Sequence, residues 1–304
     1  MRSTALLVTT LALLLAACAD DAPDQTGIEV VATTSIWGDV VGEIVGEDAS
    51  VSVLIPRGTD AHEYEPTSRQ VAEIHRADLV VANGLGLEGG LGDLLDAAAA
   101  EGANVLEVAP SLDPIPFRSE DGGSDLGLDP HVWLDPERVA SAAHLIAGEL
   151  SEIHDSIDWM SRADEYEAGL AETDERIFEL VGGVPGEYRK LVTNHQSLGY
   201  FADRYGFDLI GFVIPGGSSL GEPSSADLAD LVERIRESGT SVIFAETTQP
   251  TRLAELVAAE VGDDIQVVSL YTESLGEPGS GAETLVGMLL TNAELITEAL
   301  GGQG

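Results

Sequence analysis

The hydrophobic and polar positions fall into two passages of the same rhythm, separated by a long helical stretch. In the first passage, short β-branched runs predict strands at Ile28–Thr33, Val51–Ile55, Asp78–Asn83 and Asn104–Val108. Between them, mixed apolar and polar segments predict helices from Ser35 to about Gly46, Ser68 (as cap) to Arg76, and Leu91 to Ala100. The second passage predicts strands near Lys190–Thr193, Phe207–Val213, Ser241–Ala245 and Ile265–Ser269. Its helices fall near Leu198–Tyr205, Ser224–Ser238, Thr251–Val261 and Ala282–Ala299. Strands alternating with helices at this spacing imply βαβ units and parallel sheets.

Between the passages, Asp135 is placed to cap a helix that Pro136 opens and that runs to about His154. Apolar positions at Tyr166, Leu170, Ile177 and Leu180 then mark a second helix, from Ile157 to about Leu180, which Gly182-Gly183-Val184-Pro185-Gly186 ends. At 1.5 Å per residue it spans roughly 35 Å, enough to cross a domain. The expected fold is therefore α/β: two (βα)4-type lobes with parallel sheets, residues 28–156 and 184–304, joined by a long helix within 157–183, with a cleft between the lobes.

Composition narrows the partners. A chain of 304 residues that is 44% hydrophobic and 22% charged has enough apolar surface for two cores. Its net charge of -40 repels nucleic acid and anionic membrane alike, so neither is an expected partner. Lys190 is the sole lysine beside thirteen arginines, a bias that suits a G+C-rich or salt-adapted source.

The N-terminus reads as an address and not as fold. Arg2 precedes an apolar stretch, Ala5 to Ala17, too short to span a bilayer and followed by acidic sequence. Residues 1–17 thus read as a secretory signal peptide. Leu15-Ala16-Ala17-Cys18 resembles a bacterial lipobox, which makes Cys18, the single cysteine, the expected lipidation site and 18–27 a tether. The chain would then be held at the cell surface or the periplasmic face of the membrane.

The candidate chemistry lies in three histidines spaced far apart. His131 sits in Asp129-Pro130-His131-Val132-Trp133-Leu134-Asp135-Pro136, where the two prolines predict a rigid, extended setting. His62 and His195 each follow a β-branched run that reads as a buried strand. In open α/β sheets, ligand-binding groups collect beyond the carboxyl ends of parallel strands, so these three can meet in the cleft and hold a metal. For a fourth ligand the residues offer two carboxylates at strand ends, Glu273 and Glu246. Three imidazoles and a carboxylate close a tetrahedral site; three imidazoles alone leave room for a reactive water. His75, His144 and His154 read as surface or packing residues, Trp133 as packing beside the site, Glu63 as either a supporting partner or a solvated group, and Asn194 and Tyr200 as supports for His195. The acidic stretch Pro110–Leu128 reads as a mobile connection.

Six motifs in order carry a resemblance: the lipobox, Pro56-x-Gly-x-Asp-x-His-x-Tyr-Glu-Pro66, Asp129–Pro136, Asn194–Ala202, Gly221-Glu222-Pro223-Ser224, and Thr272-Glu273-Ser274-Leu275. Together they resemble the cluster 9 (TroA-like) substrate-binding proteins of metal ABC importers. The stretch Asn194–Phe201 and the turn Ala82–Glu88 are most similar to zinc-type members, Azt- and Znu-like. The resemblance implies a metal in the cleft, a rigid bridging helix, and a non-enzymatic, monomeric receptor that delivers its cargo to a membrane permease, with a metallochaperone as a further partner. It places His62, His131 and His195 on the histidine-ligand positions and Glu273 on the last carboxylate position, often aspartate. Many zinc members carry a histidine-rich loop where Pro110–Leu128 has no histidine; metal capture there would fall to Glu120, Asp121 and Asp125. Manganese members typically have a carboxylate at the position of His195, and imidazole nitrogens suit Zn2+, so zinc is the expected cargo and manganese or iron the alternative. A zinc hydrolase with Glu273 as base, and a surface adhesin, are the readings from other classes; no His-Glu-x-x-His motif supports the first.

Overall fold

A computed structural model describes residues 27–118 and 127–301. The expected signal peptide, the expected lipidation site Cys18 and the candidate capture residues Glu120, Asp121 and Asp125 lie outside the described residues.

The first passage forms β1 (Glu29–Ala32), α1 (Ser35–Val45), β2 (Ser50–Val53), α2 (Ser68–Ile74), β3 (Leu79–Ala82), α3 (Gly92–Ala100) and β4 (Val105–Glu107). The second forms β5 (Lys190–Thr193), α6 (Gly199–Tyr205), β6 (Asp208–Phe212), α7 (Ser225–Ser238), β7 (Val242–Glu246), α8 (Arg252–Val261) and β8 (Gln266–Leu270), and α9 (Leu285–Gly301) follows. Between them run α4 (Pro136–Ile153) and α5 (Trp159–Gly182). The strands make two four-stranded sheets, ordered β2-β1-β3-β4 and β6-β5-β7-β8, with every pairing parallel. In each, the order reverses beside a central strand, at β1/β3 and β5/β7, which is where such sheets open a crevice at their carboxyl ends. The α/β reading with two parallel-sheet lobes is therefore what the chain adopts.

The central strands β3 (Leu-Val-Val-Ala) and β7 (Val-Ile-Phe-Ala-Glu) are buried throughout, as strands covered by helices on both faces must be. β2 is different. It is an edge strand whose Ser50, Ser52 and Val53 are exposed, so the run ahead of His62 is not the buried strand its composition suggests. Burial resumes only at Leu54 and Ile55. Thr67, and not Ser68, caps α2, through a reciprocal box with Gln70.

The long helix α5 buries Trp159, Ala163, Leu170, Thr173, Ile177 and Val181, a stripe at helical spacing, and packs along α4, α1 and α9. Its 24 residues span about 36 Å at 1.5 Å per residue. The last helix, α9, buries Leu285, Leu289, Ala293 and Ile296 against α5 and α1 as well as β8. No helix of the described residues is long and apolar enough to cross a membrane.

Candidate metal centre

Each candidate ligand is held by a turn built from its own neighbours. Asp60 Oδ1 accepts the backbone N–H of His62 at 2.8 Å, and Asp129 Oδ1 accepts that of His131 at 2.9 Å. These are matching Asp-x-His turns, in which a short carboxylate satisfies an amide that no strand or helix supplies. The second one bends the chain. His131 has φ -80 and ψ 42 and leads into one turn of 3-10 helix over Val132–Leu134, so the extended setting predicted from the two prolines is not what forms. On the second sheet, Thr193 Oγ1 donates to the His195 carbonyl at 2.6 Å, turning the chain sharply past β5.

The turns bring His62, His131, His195 and Glu273 together, with ligand-capable atoms all within 4.8 Å of one another. His131 Nε2 is 3.2 Å from His195 Nε2 and 3.2 Å from Glu273 Oε1, while His195 Nε2 is 3.5 Å from the same oxygen. His62 Nε2 approaches from the other side, 3.9 Å from Glu273 Oε2. A tetrahedron with bonds near 2.05 Å has edges of about 3.3 Å, so three edges already match and His62 stands slightly back. All four residues are buried, His131 and His195 completely. His62 Nε2 and both Glu273 oxygens lack hydrogen-bond partners. A buried carboxylate facing three imidazoles is stable only against positive charge, and this donor set fits a divalent transition-metal ion.

The electrostatics follow from that crowding. Burial works to lower the His131 pKa, but the charges of Glu273 and Asp129 outweigh it and lift the imidazole to about 10. His195 is likewise raised: burial opposes, and Glu246 prevails. Burial dominates at His62 and pushes it down. Glu273, despite a burial penalty, is held at about 2, chiefly by His131. The two Nε2 atoms of His131 and His195 stand 3.2 Å apart, so two imidazoles with raised pKa values face one another across the centre of the cluster.

A family described as "Zinc-uptake complex component A periplasmic" matches residues 30–299. The chain is 33% identical over 300 residues to the manganese-binding lipoprotein MntA of Halalkalibacterium halodurans, covering 97% of both chains. It is 29% identical to the zinc-binding protein TroA of Treponema pallidum, covering 89% of this chain and 88% of that one. The solved structure of the periplasmic zinc-binding protein TroA superposes with a TM-score of 0.81 at 27% identity, over 90% of this chain and 99% of that one. The chain belongs to the ZnuA/TroA-like family of metal-binding substrate-binding proteins.

Within this ZnuA/TroA-like chain, a second layer of carboxylates holds the far side of two of the three imidazoles, His131 and His195. His131 Nδ1 lies 2.6 Å from Asp129 Oδ1, and His195 Nδ1 lies 2.6 Å from Glu246 Oε1. Glu246, the competing candidate for the fourth position, thus faces the back of His195, away from the cluster, and Ser197 Oγ steadies it at 3.2 Å. Asp129 is held in turn. Tyr200 Oη donates to its carbonyl at 2.6 Å, and its Oδ2 packs where a side chain on Gly199 would sit. Tyr200 therefore serves the His131 turn and not His195. Asn83, in the turn before Glu88, donates to the Pro130 carbonyl at 3.0 Å, while Trp37 Nε1 donates to its Oδ1 at 3.0 Å and sets the amide's direction. Glu88 anchors that turn by accepting from Thr33 Oγ1 and from the Asn83 and Gly84 amides.

Trp133 does more than pack: its Nε1 donates to the Thr272 carbonyl at 2.9 Å, beside Glu273. Glu63 is exposed, 3.4 Å from Gln249 Nε2, and takes no part in the cluster. The flanks of the acidic connection are ordered, through the Pro116/Leu128 bridge and the Asp129 N–H to Ile115 carbonyl bond at 2.8 Å. His144 pairs with Glu167 at 2.7 Å on the surface, and His75 and His154 also lie away from the cluster. The signal for the second layer was present in the sequence: two Asp-x-His triplets, each with its acid two residues ahead of a candidate ligand.

Proposed function

We propose that this chain is an extracytoplasmic receptor that captures Zn2+ in its interlobe cleft and passes it to the membrane permease of an ABC importer. The observation that carries this reading is the buried His62/His131/His195/Glu273 cluster, whose carboxylate faces three imidazole nitrogens and no hydrogen-bond donor of the proper geometry. These four residues are the proposed ligands. A site closed by four protein groups binds without keeping a water to activate, which fits transport and not hydrolysis. Three nitrogens and one carboxylate favour zinc over manganese on donor chemistry.

The same site supports a second reading, with Mn2+ as cargo. Glu273 turns Oε1 toward His131 and His195 and Oε2 toward His62, an orientation that suits bidentate binding and a fifth donor. The manganese-binding relative at 33% identity favours the same alternative.

The remainder of the proposal rests on the N-terminus: residues 1–17 as signal peptide, Cys18 as the lipidated residue, 18–27 as tether, and lobes of 28–156 and 184–304 about the helix of 157–183. One diacylated cysteine supplies two chains, the number stable anchoring requires. Deleting the chain from its host should abolish chelator-sensitive 65Zn uptake, and wild type but not His195→Ala should restore it. Unchanged zinc uptake with lost manganese uptake would select the second reading; loss of neither would overturn the receptor assignment.

A further inference from the structure

A turn closes the carboxyl end of β7, with the Gln249 N–H 3.4 Å from the Glu246 carbonyl. Its first residue, Glu246, backs His195 at 2.6 Å. Its second is tied to the end of β8, where the Thr247 N–H donates to the Leu270 carbonyl at 3.0 Å, shortly ahead of Glu273. Its last, Gln249, reaches the loop that carries His62. There Gln249 Nε2 donates to Asp60 Oδ2 at 2.8 Å, and Glu63 Oε1 lies 3.4 Å from the same nitrogen.

Asp60 is the residue through which this contact acts. Its Oδ1 holds the His62 N–H at 2.8 Å, and at 4% exposure it is shielded from water. A buried carboxylate needs donors for both oxygens, and bonds to an ionised acceptor are the stronger kind. Gln249 supplies the donor for the second oxygen. Two carboxylate oxygens face its amide, so the nitrogen and not the oxygen must point at them.

The His62 loop has particular need of such a brace. Its strand, the exposed edge strand β2, ends at Val53, well short of the ligand. The start of the loop is held by Arg57 Nη1, which donates to the Gly276 carbonyl at 2.9 Å, and by the Gly58 N–H, which donates to Ser274 Oγ at 2.8 Å. Its far side is held where Gln70 Nε2 donates to Tyr64 Oη at 2.6 Å, and where the His62 carbonyl fills the space of a side chain on Gly89. Between these anchors, Asp60 orients the backbone of His62, and Gln249 orients Asp60. His62 is also the ligand that stands back, 3.9 Å from Glu273 Oε2, against 3.2 and 3.5 Å from His131 and His195 to Oε1. A ligand already at the long edge of a site is the one that a small displacement takes out of reach.

We propose that Gln249 is a positioning residue for His62, acting through Asp60. One turn after β7 then braces a ligand from each sheet, His195 through Glu246 and His62 through Gln249. The inference rests on the metal-receptor reading above.

The test is Zn2+ affinity of full-length protein, read by competition with chromophoric chelators of graded strength, with thermal unfolding of each metal-free variant as the control for folding. Supporting groups around metal ligands typically contribute about tenfold or more in affinity. Gln249→Ala should weaken Zn2+ binding about tenfold in the wild-type and His195→Ala backgrounds, and less than about threefold in the His62→Ala background, where the ligand it positions is gone. Gln249→Glu keeps the side chain's size but sets a further carboxylate against Asp60 and Glu63, so it should bind Zn2+ more weakly than Gln249→Ala. A loss of the same factor in the His62→Ala background, no loss on Gln249→Ala, or a Gln249→Glu affinity equal to or above that of Gln249→Ala overturns the positioning role while leaving the receptor reading intact. Binding of neither Zn2+ nor Mn2+ by the wild type overturns the receptor reading, and the positioning role with it.

Discussion

Replacing Asp129 with Asn probes the coupling of proton and metal at the cluster. Asp129 Oδ1 faces His131 Nδ1 at 2.6 Å, and with Glu273 it raises that imidazole to about 10. Metal binding at Nε2 must then expel a proton, and the raised His195 can add a second, so wild-type affinity should rise by about tenfold per pH unit for each proton expelled and level off only as pH passes the raised pKa values. Asp129→Asn acts in two opposing ways. It removes a charge-assisted bond that orients His131 and strengthens it as a donor, a loss of about 10–100-fold in limiting affinity. It also lowers the His131 pKa, so less proton competition remains near neutrality. The wild-type advantage should therefore widen as pH rises from 6 to 9. Competition titrations across that range, with calorimetry in two buffers of different ionisation heat to count released protons, read both effects. A wild-type advantage that is constant or shrinks with pH, or a wild-type affinity that does not change between pH 6.5 and 8, would refute the reasoning.

Three further outcomes follow from the same geometry. Glu246→Gln should weaken metal binding about 10–100-fold by loosening His195, as chelator competition will show. Gly199→Ala places a methyl group where Asp129 Oδ2 lies and should cost about 1–3 kcal/mol in denaturant unfolding. Asp174 is half-buried; burial works upward on it, but bonds from Arg204 and Tyr205 prevail and hold its pKa below the usual carboxylate value. Because the folded pKa is depressed, its stabilisation is present above the unfolded value and is lost as pH falls through the folded one. Arg204→Ala should flatten the fall in thermal midpoint between pH 5 and 3.

The fold was legible because both sheets are parallel and covered, so β3 and β7 appear as unbroken apolar runs and the helices between them keep their period. β2 misled because Val51 and Val53 look like core residues, whereas its place at the sheet edge depends on strand order, which composition does not encode. His131 misled for a local reason: proline biases the residue before it, but the Asp129 carboxylate captured the His131 amide and bent the chain into a 3-10 turn. The four members of the candidate cluster come together as the sequence suggested, but only His195 and Glu273 follow strands directly, at β5 and β8; His62 and His131 arrive on long loops well beyond β2 and β4. The support of the cluster was less legible. Glu246 ends a strand as a ligand would, and only the three-dimensional arrangement shows it behind His195 rather than beside it. Arg57 and Trp133 reach backbone carbonyls more than a hundred residues away, and carbonyls leave no mark in a sequence.

The central claim is that four buried side chains hold one transition-metal ion. The most direct measurement is the metal content of protein lacking residues 1–18, stripped by chelation and offered zinc and manganese together, with elemental analysis after gel filtration. The account predicts one zinc per chain, retained in the wild type and lost on His195→Ala. Manganese retained in its place would assign the cargo to the second reading, and no stoichiometric metal would contradict the account.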